Sequence, residues 1–201
     1  MRGVGWALGL GALTALRGSS APLAFTSGAA TPDGSGGYVA DGSIRATSEI
    51  YADEAVLEFT YLGPSRVDVP LASGELRRQI GLKLRAADTC NVVYVTWHAS
   101  PTTSVAVSVK RNPGASTHEA CGASGYLNLP ARHPPVNVPM AIGVPHRLRA
   151  HLRGSELTVL ADGRVAWVGS LPKEAFLFDG PVGVRTDNGR FVFRLRSPPR
   201  S

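Results

Sequence analysis

The run Glu156-Leu157-Thr158-Val159-Leu160-Ala161-Asp162-Gly163-Arg164-Val165-Ala166-Trp167 decides the fold class. Leu157 and Val159 recur at every second position and run into Asp162-Gly163, and Val165 and Trp167 come out of it. Asp-Gly between two apolar runs predicts a hairpin, because a type I′ turn needs positive φ at both central residues. Period two, not 3.6, continues outward on both sides. Upstream, Leu148, Ala150 and Leu152 alternate with Arg147, Arg149, His151 and Arg153. Leu57, Phe59 and Tyr61 alternate with Glu58 and Thr60, and Ile80, Leu82 and Leu84 with Gly81, Lys83 and Arg85. Val93, Val95 and Trp97 follow, then Val105, Val107 and Val109. Downstream, Val182 and Val184 precede Phe191-Val192-Phe193-Arg194-Leu195-Arg196, a strand with one apolar and one basic face. Turn residues separate the runs. No amphipathic stretch is long enough for a core helix, and Pro172–Phe176 reads as one helical turn with Pro at its start. The prediction is all-β: a two-sheet antiparallel sandwich of about a dozen strands. Half-polar strands argue against a parallel α/β core.

Composition agrees. The 201 residues suit one domain, and 43% hydrophobic against 18% charged residues exclude a disordered chain. The 23 Gly and 15 Pro point to many turns. Lys and Arg total 21 against 15 acids, a net charge of +6, but the cations are spread along the chain except for Arg185, Arg190, Arg194, Arg196 and Arg200 near its end. A nucleic-acid binder needs a dense basic stripe interleaved with aromatics, so no nucleic-acid partner is expected.

Residues 1–21 read as a signal peptide. Arg2 precedes an uncharged run from Val4 to Leu16, which is in the h-region range and too short to span a bilayer. Ser19 and Ala21 suit the cleavage positions, and cleavage after Ala29 or Ala30 is the alternative. The expectation is a secreted, periplasmic or cell-surface protein with no stable membrane insertion after leader cleavage. Residues 22–37, rich in Gly, Ser, Ala, Thr and Pro, read as a flexible linker, 38–197 as the folded domain and 198–201 as a tail. Two cysteines in an exported chain predict one disulfide, Cys90–Cys121. Zinc is the rival reading, since His118-Glu119-Ala120-Cys121 has ligand-like spacing, but paired C-x-x-C or H-x-x-x-H spacing is absent.

The last third has a recognisable order: His146-Arg147-Leu148-Arg149-Ala150, the strand through Leu157-Thr158-Val159, Asp162-Gly163-Arg164, Val165-Ala166-Trp167, then Gly180-Pro181-Val182-Gly183-Val184-Arg185 and Phe191-Val192-Phe193. It resembles the closing strands of concanavalin A-like lectin/glucanase jelly rolls, including laminin-G-like modules. The middle segment, Gln79–Arg85 through Cys121-Gly122, resembles exported bacterial proteins of the same type. The resemblance implies a jelly-roll sandwich whose concave face or loop rim binds carbohydrate. Fold alone does not assign activity. Glucanases of this fold carry E-x-D-x-x-E, and that motif is absent here. Glu54 and Glu58 lack the middle acid and would stand about 13 Å apart along a strand, beyond the spacing of a glycosidase pair. They read as a solvated edge. No G-x-S-x-G elbow, H-E-x-x-H, P-loop or EF-hand loop is present.

One segment draws polar and aromatic residues together. If Cys90 bonds Cys121, the loops carrying Asp88, Asn91, Asn112, His118 and Glu119 are held at one end of the sheet. Sugar sites use aromatic platforms for C–H faces and planar polar groups for hydroxyls. Trp97, His98, Asn112, His118 and Tyr126, with Asp88 and Asn91, are therefore the candidate glycan-binding residues. The same residues also read as a pinned loop of ordinary turn residues with a core Trp97. His146 and His151 are expected on the solvent faces of strands. No cofactor is expected: calcium needs six to eight oxygens, and Asp88 with Asn91 or Asp187 with Asn188 are too sparse to support it. The reading is a non-catalytic carbohydrate-binding module with a glycan or polysaccharide partner. The alternatives are a sugar-active enzyme with an unrecognised site and a structural or adhesive module that binds protein.

Overall fold

The computed structural model describes residues 22–71, 73–134 and 136–198. The expected leader lies outside the described residues, as do the last three residues of the tail. The strands are β1 (Ala24–Ser27), β2 (Ala30–Pro32), β3 (Tyr38–Asp41), β4 (Ile44–Thr47), β5 (Glu54–Pro64), β6 (Arg78–Leu84) and β7 (Val92–Ser100). They continue as β8 (Ser104–Lys110), β9 (Tyr126–Leu129), β10 (Pro145–Arg153), β11 (Glu156–Ala161), β12 (Arg164–Ser170), β13 (Gly183–Asp187) and β14 (Gly189–Arg196). One helical turn, α1 (His118–Cys121), and a single 3-10 turn over Lys173–Phe176, preceded by Pro172, complete the elements.

Two seven-stranded antiparallel sheets face each other. Sheet I has the order β1-β4-β13-β6-β7-β8-β9, and sheet II the order β12-β11-β10-β5-β14-β3-β2. Alternation dictates what lies between them. Ile80, Leu82, Val93, Val95, Val107, Val109 and Val184 face inward from sheet I, and Leu57, Phe59, Leu148, Phe191 and Phe193 from sheet II. Each such side chain contributes about 1.5–3 kcal/mol by leaving water. Trp97 and Phe59 meet edge to face across the gap, ring centroids 5.6 Å apart. The Asp-Gly hairpin forms as its sequence requires, with φ of 49° at Asp162 and 76° at Gly163. Asp162 Oδ1 also accepts from Arg147 N at 2.8 Å.

Three expectations are corrected. Residues 22–37 are not a free linker: β1 adds to β4 and β2 adds to β3, so the segment extends the edges of both sheets. Edge pairing uses main-chain groups, which small residues supply as well as large ones. Phe25 packs edge to face on Tyr38, and Asp33 Oδ1 accepts from Ser35 N and Gly37 N to close the turn. His146 is not on the solvent face. It stands opposite inward-facing Phe59 in the β5–β10 register, is buried, and lies 5.2 Å from the Trp97 ring. Glu54 and Glu58 are not at an edge, because β5 runs in the interior of sheet II. Their carboxylates are bound on its outer face by Arg149 and Arg196 respectively.

Candidate functional site

Side chains on β4, β13, β6, β7, β8 and β9 that point away from the core form the outer face of sheet I. A cleft of about 610 Å³ lies on this face. Its floor follows the register. Arg45, Arg185, Gly81, Thr96 and Ala106 stand side by side across five strands, and Asp187, Gln79 and His98 form the next row. Small residues deepen the first row. A Cβ at Gly81 would come 2.3 Å from the Val95 carbonyl oxygen, so glycine is required there. One wall is made by Val69, Pro70, Leu71, Ser73 and Arg77, and the other by His118, Gly122, Ala123 and Tyr126.

Charge organises the floor. Asp187 is buried and both its oxygens are occupied. Oδ1 accepts from Arg45 Nη2 at 2.7 Å and Ser43 Oγ at 3.2 Å. Oδ2 accepts from Gln79 Nε2 at 2.7 Å and from Arg185 Nε and Nη2 at 3.1 and 2.8 Å. Burial pushes this carboxyl up, but Arg185 and Arg45 hold it below the usual carboxylate range. The Arg185 guanidinium lies 4.6 Å from the centre of the Tyr94 ring. Tyr94 in turn stacks on Tyr126, and Lys110 Nζ sits 5.3 Å from the Tyr126 ring centre. Lys83 follows Gly81 on the same face of β6. Burial, reinforced by Arg45 and Arg185, pulls its ammonium down to about 8. His98 bridges Thr96 and Ser104 at 3.0 and 3.1 Å, and burial, with help from Arg77, lowers it to about 4.

The disulfide Cys90–Cys121 is present and ties the turn before β7 to α1. Zinc ligation by these thiols is thereby excluded. The pinned loops also receive Lys110 Nζ, which donates to Thr89 O at 3.2 Å and Gly122 O at 2.7 Å. Of the candidate residues, His118 and Tyr126 line the cleft, and Tyr126 is half-exposed. Asp88, Asn91 and Asn112 come together but are turned onto the loops themselves. Asp88 Oδ1 accepts from Cys90 N and Asn91 N, both at 2.7 Å. Asn91 Oδ1 accepts from Asn112 N at 3.0 Å, and Asn112 Nδ2 donates to Cys90 O and Ser124 O. Trp97 is a correction: it is fully buried on the opposite face of β7, its Nε1 donating to Val138 O at 3.0 Å, and offers no platform to a ligand. His98 is buried next to Gln79 without lining the cleft, and Glu119 is exposed on α1.

Sequence reasoning missed Arg45, Gln79, Asn128, Arg185 and the floor role of Asp187. The available signal was parity, since Arg185 and Asp187 share the face opposite Val184. No linear motif marks them, because each comes from a different strand or a different row.

No family model matches the chain, and no curated protein matches it in sequence. Solved structures do. The carbohydrate binding module CBM66 from Bacillus subtilis superposes with a TM-score of 0.57 at 14% identity, over 89% of this chain and 97% of that one. The carbohydrate recognition domain of Emp46p, in its metal-free form, gives 0.51 at 12% identity over 87% of each chain. The chain has the concanavalin A-like jelly-roll fold. At these identities the likeness is one of fold. Within this jelly roll, the carboxylates weighed above for catalysis or calcium are all engaged: Glu54 and Glu58 by arginines, Asp88 by turn amides and Asp187 by five N–H and O–H donors.

Proposed function

We propose that this jelly roll is an exported carbohydrate-binding module that holds its glycan, without cleaving it, in the cleft on sheet I. The observation that carries the proposal is the half-exposed ring of Tyr126 beside the Asn128 amide and the Arg185 guanidinium in one cleft. Aromatic rings take the C–H faces of sugars, and planar donors take their hydroxyls. Gln79 supports the reading, since its buried Oε1 has no partner among the described residues. An unsatisfied buried acceptor costs about 1–3 kcal/mol unless it meets a donor such as a hydroxyl. A non-catalytic role fits Asp187, the single carboxylate among the residues lining the cleft, whose oxygens are already filled. Two-carboxylate hydrolysis needs a second acid within about 10 Å. Export is supported by the disulfide, which persists in oxidising compartments, and by the leader-like residues 1–21.

The test is a glycan and polysaccharide screen of the purified chain, with reducing-end release assayed on the same ligands. Saturable binding that Tyr126→Ala and Asn128→Ala weaken without loss of fold is expected, with no release. Release of reducing ends overturns the non-catalytic role. Binding insensitive to both substitutions overturns the cleft as the site.

A further inference from the structure

We infer that the glycan held by this cleft is an acidic one, bearing carboxylate or sulfate groups. The inference rests on the carbohydrate-binding reading and narrows its ligand class.

The first argument is the charge that sheet I carries on its outer face. Arg45, Arg185, Lys83 and Lys110 stand on that face, against Asp187 as the single carboxylate among the described residues of its strands. Asp187 is shared between two arginines, so one guanidinium charge stays uncompensated. Nearby acids do not make up the deficit. Glu75 is bound by Arg77 and Asp68 by Arg78, while Asp88 is committed to the amides of its own turn.

The second argument is independent and concerns Lys83. Its side chain is only 2% exposed and lies beside the cleft rather than in its lining, and no hydrogen bond or ion pair ties it to a described residue. It stands opposite Tyr94 and Gly183 in register, and Arg45 and Arg185 repel it. Holding a largely desolvated ammonium beside like charges opposes folding. A neutral sugar offers nothing to offset that cost. A carboxylate or sulfate does, because it accepts from the guanidiniums that line the cleft and offsets their repulsion of Lys83.

The third argument is geometric. Arg185 spends Nε and Nη2 on Asp187 Oδ2 and is oriented further by the Tyr94 ring, which leaves Nη1 uncommitted. A guanidinium fixed in this way is preorganised, so little side-chain entropy is lost when an anion docks. Ser108 and Asn128 extend the donor set along the floor. The lining thus has a surplus of donors over free acceptors, the complement of an anion.

The experiment is calorimetric titration of the full chain with polygalacturonate, dextran sulfate, neutral dextran and polyglutamate. Either acidic polysaccharide is expected to bind at least about tenfold more tightly than dextran. Raising salt from about 50 mM to about 500 mM should weaken that binding about tenfold or more, since exposed charge pairs are screened. The two acidic arms separate carboxylate from sulfate recognition. Lys83→Met, which keeps the volume and removes the charge, should lose about tenfold in acidic-glycan affinity while its melting temperature holds or rises. Arg185→Gln should lose at least as much. Salt-insensitive binding of dextran, or of another neutral glycan, overturns the acidic class and leaves glycan binding standing. Polyglutamate bound as tightly as the acidic polysaccharides overturns the inference in favour of a general polyanion surface. No binding of any glycan overturns the carbohydrate reading itself.

Discussion

Asn188 holds the main chain of Val69 in both directions. Its Oδ1 accepts from Val69 N at 2.7 Å, and its Nδ2 donates to Val69 O at 2.8 Å. Asn188 sits where the chain leaves β13 of sheet I for β14 of sheet II, at a φ of 51°. One amide therefore fastens a wall of the cleft to the crossover between the sheets. Asn188→Gly keeps the left-handed conformation and loses these bonds, so it should cost about 1–3 kcal/mol and weaken glycan binding. Asn188→Ala should cost about 1–2 kcal/mol more, because alanine is strained at that φ. Urea unfolding measures both, and tryptic cleavage at Arg77 should accelerate in both. Wild-type stability in Asn188→Gly would show that the amide pairing contributes nothing.

Trp97 should behave as a core residue. Trp97→Ala is expected to cost about 3–5 kcal/mol, in line with large-to-small core changes. Trp97→Phe should cost less, leaving Val138 O without its donor, and should leave glycan affinity unchanged. A Trp97→Phe protein of full stability that had lost its ligand would contradict its place between Phe59 and His146.

Removing the disulfide by Cys90→Ala with Cys121→Ala should lower stability by about 3–4 kcal/mol, the chain-entropy value for a closed loop of this length. Affinity should fall as well, since α1 and the turn after it carry His118, Gly122 and Ala123 of the cleft wall. Non-reducing mass spectrometry of exported protein that found two free thiols would remove the basis for both expectations.

Lys83 makes stability depend on alkaline pH with a definite sign. Its folded value of about 8 lies below the ordinary 10.5, so between those values the unfolded chain binds more protons. Stability contributed by this group therefore rises as pH increases from 8 toward 10.5, by about 3 kcal/mol at most. Lys83→Met should be more stable than wild type near neutral pH, and the difference should shrink across that window. A difference that stays constant from pH 7 to pH 10.5 would count against the shift.

His98 acts at the acidic end. Buried neutral at about 4 against an ordinary 6.5, it takes up its proton more readily in the unfolded chain. Stability should fall as pH drops from 6.5 to 4, by an amount on the order of 3 kcal/mol for this group. His98→Gln should flatten that part of the acid profile in urea titrations. An unchanged slope would place the acid sensitivity elsewhere.

Period-two alternation, the Asp162-Gly163 turn and the paired cysteines were enough to specify an antiparallel sandwich with one disulfide. Those signals are local: a pleated strand repeats every two residues, and a type I′ turn has few residue choices. What lay beyond them needed partners from distant strands. Residues 24–27 and 30–32 become strands only because the edges of two sheets offer main-chain groups to pair with. His146 is inward because its register sets it opposite Phe59. The cleft was legible only at its rim, in His118 and Tyr126, where the disulfide draws neighbouring segments together. Its floor joins Arg45, Gln79, Thr96 and Arg185 from β4, β6, β7 and β13. Sequence alone determined which side chains alternate along each strand, and the tertiary structure decided which strands lie side by side. Charge on a sheet face is a sum across strands, so no single stretch of chain contains it.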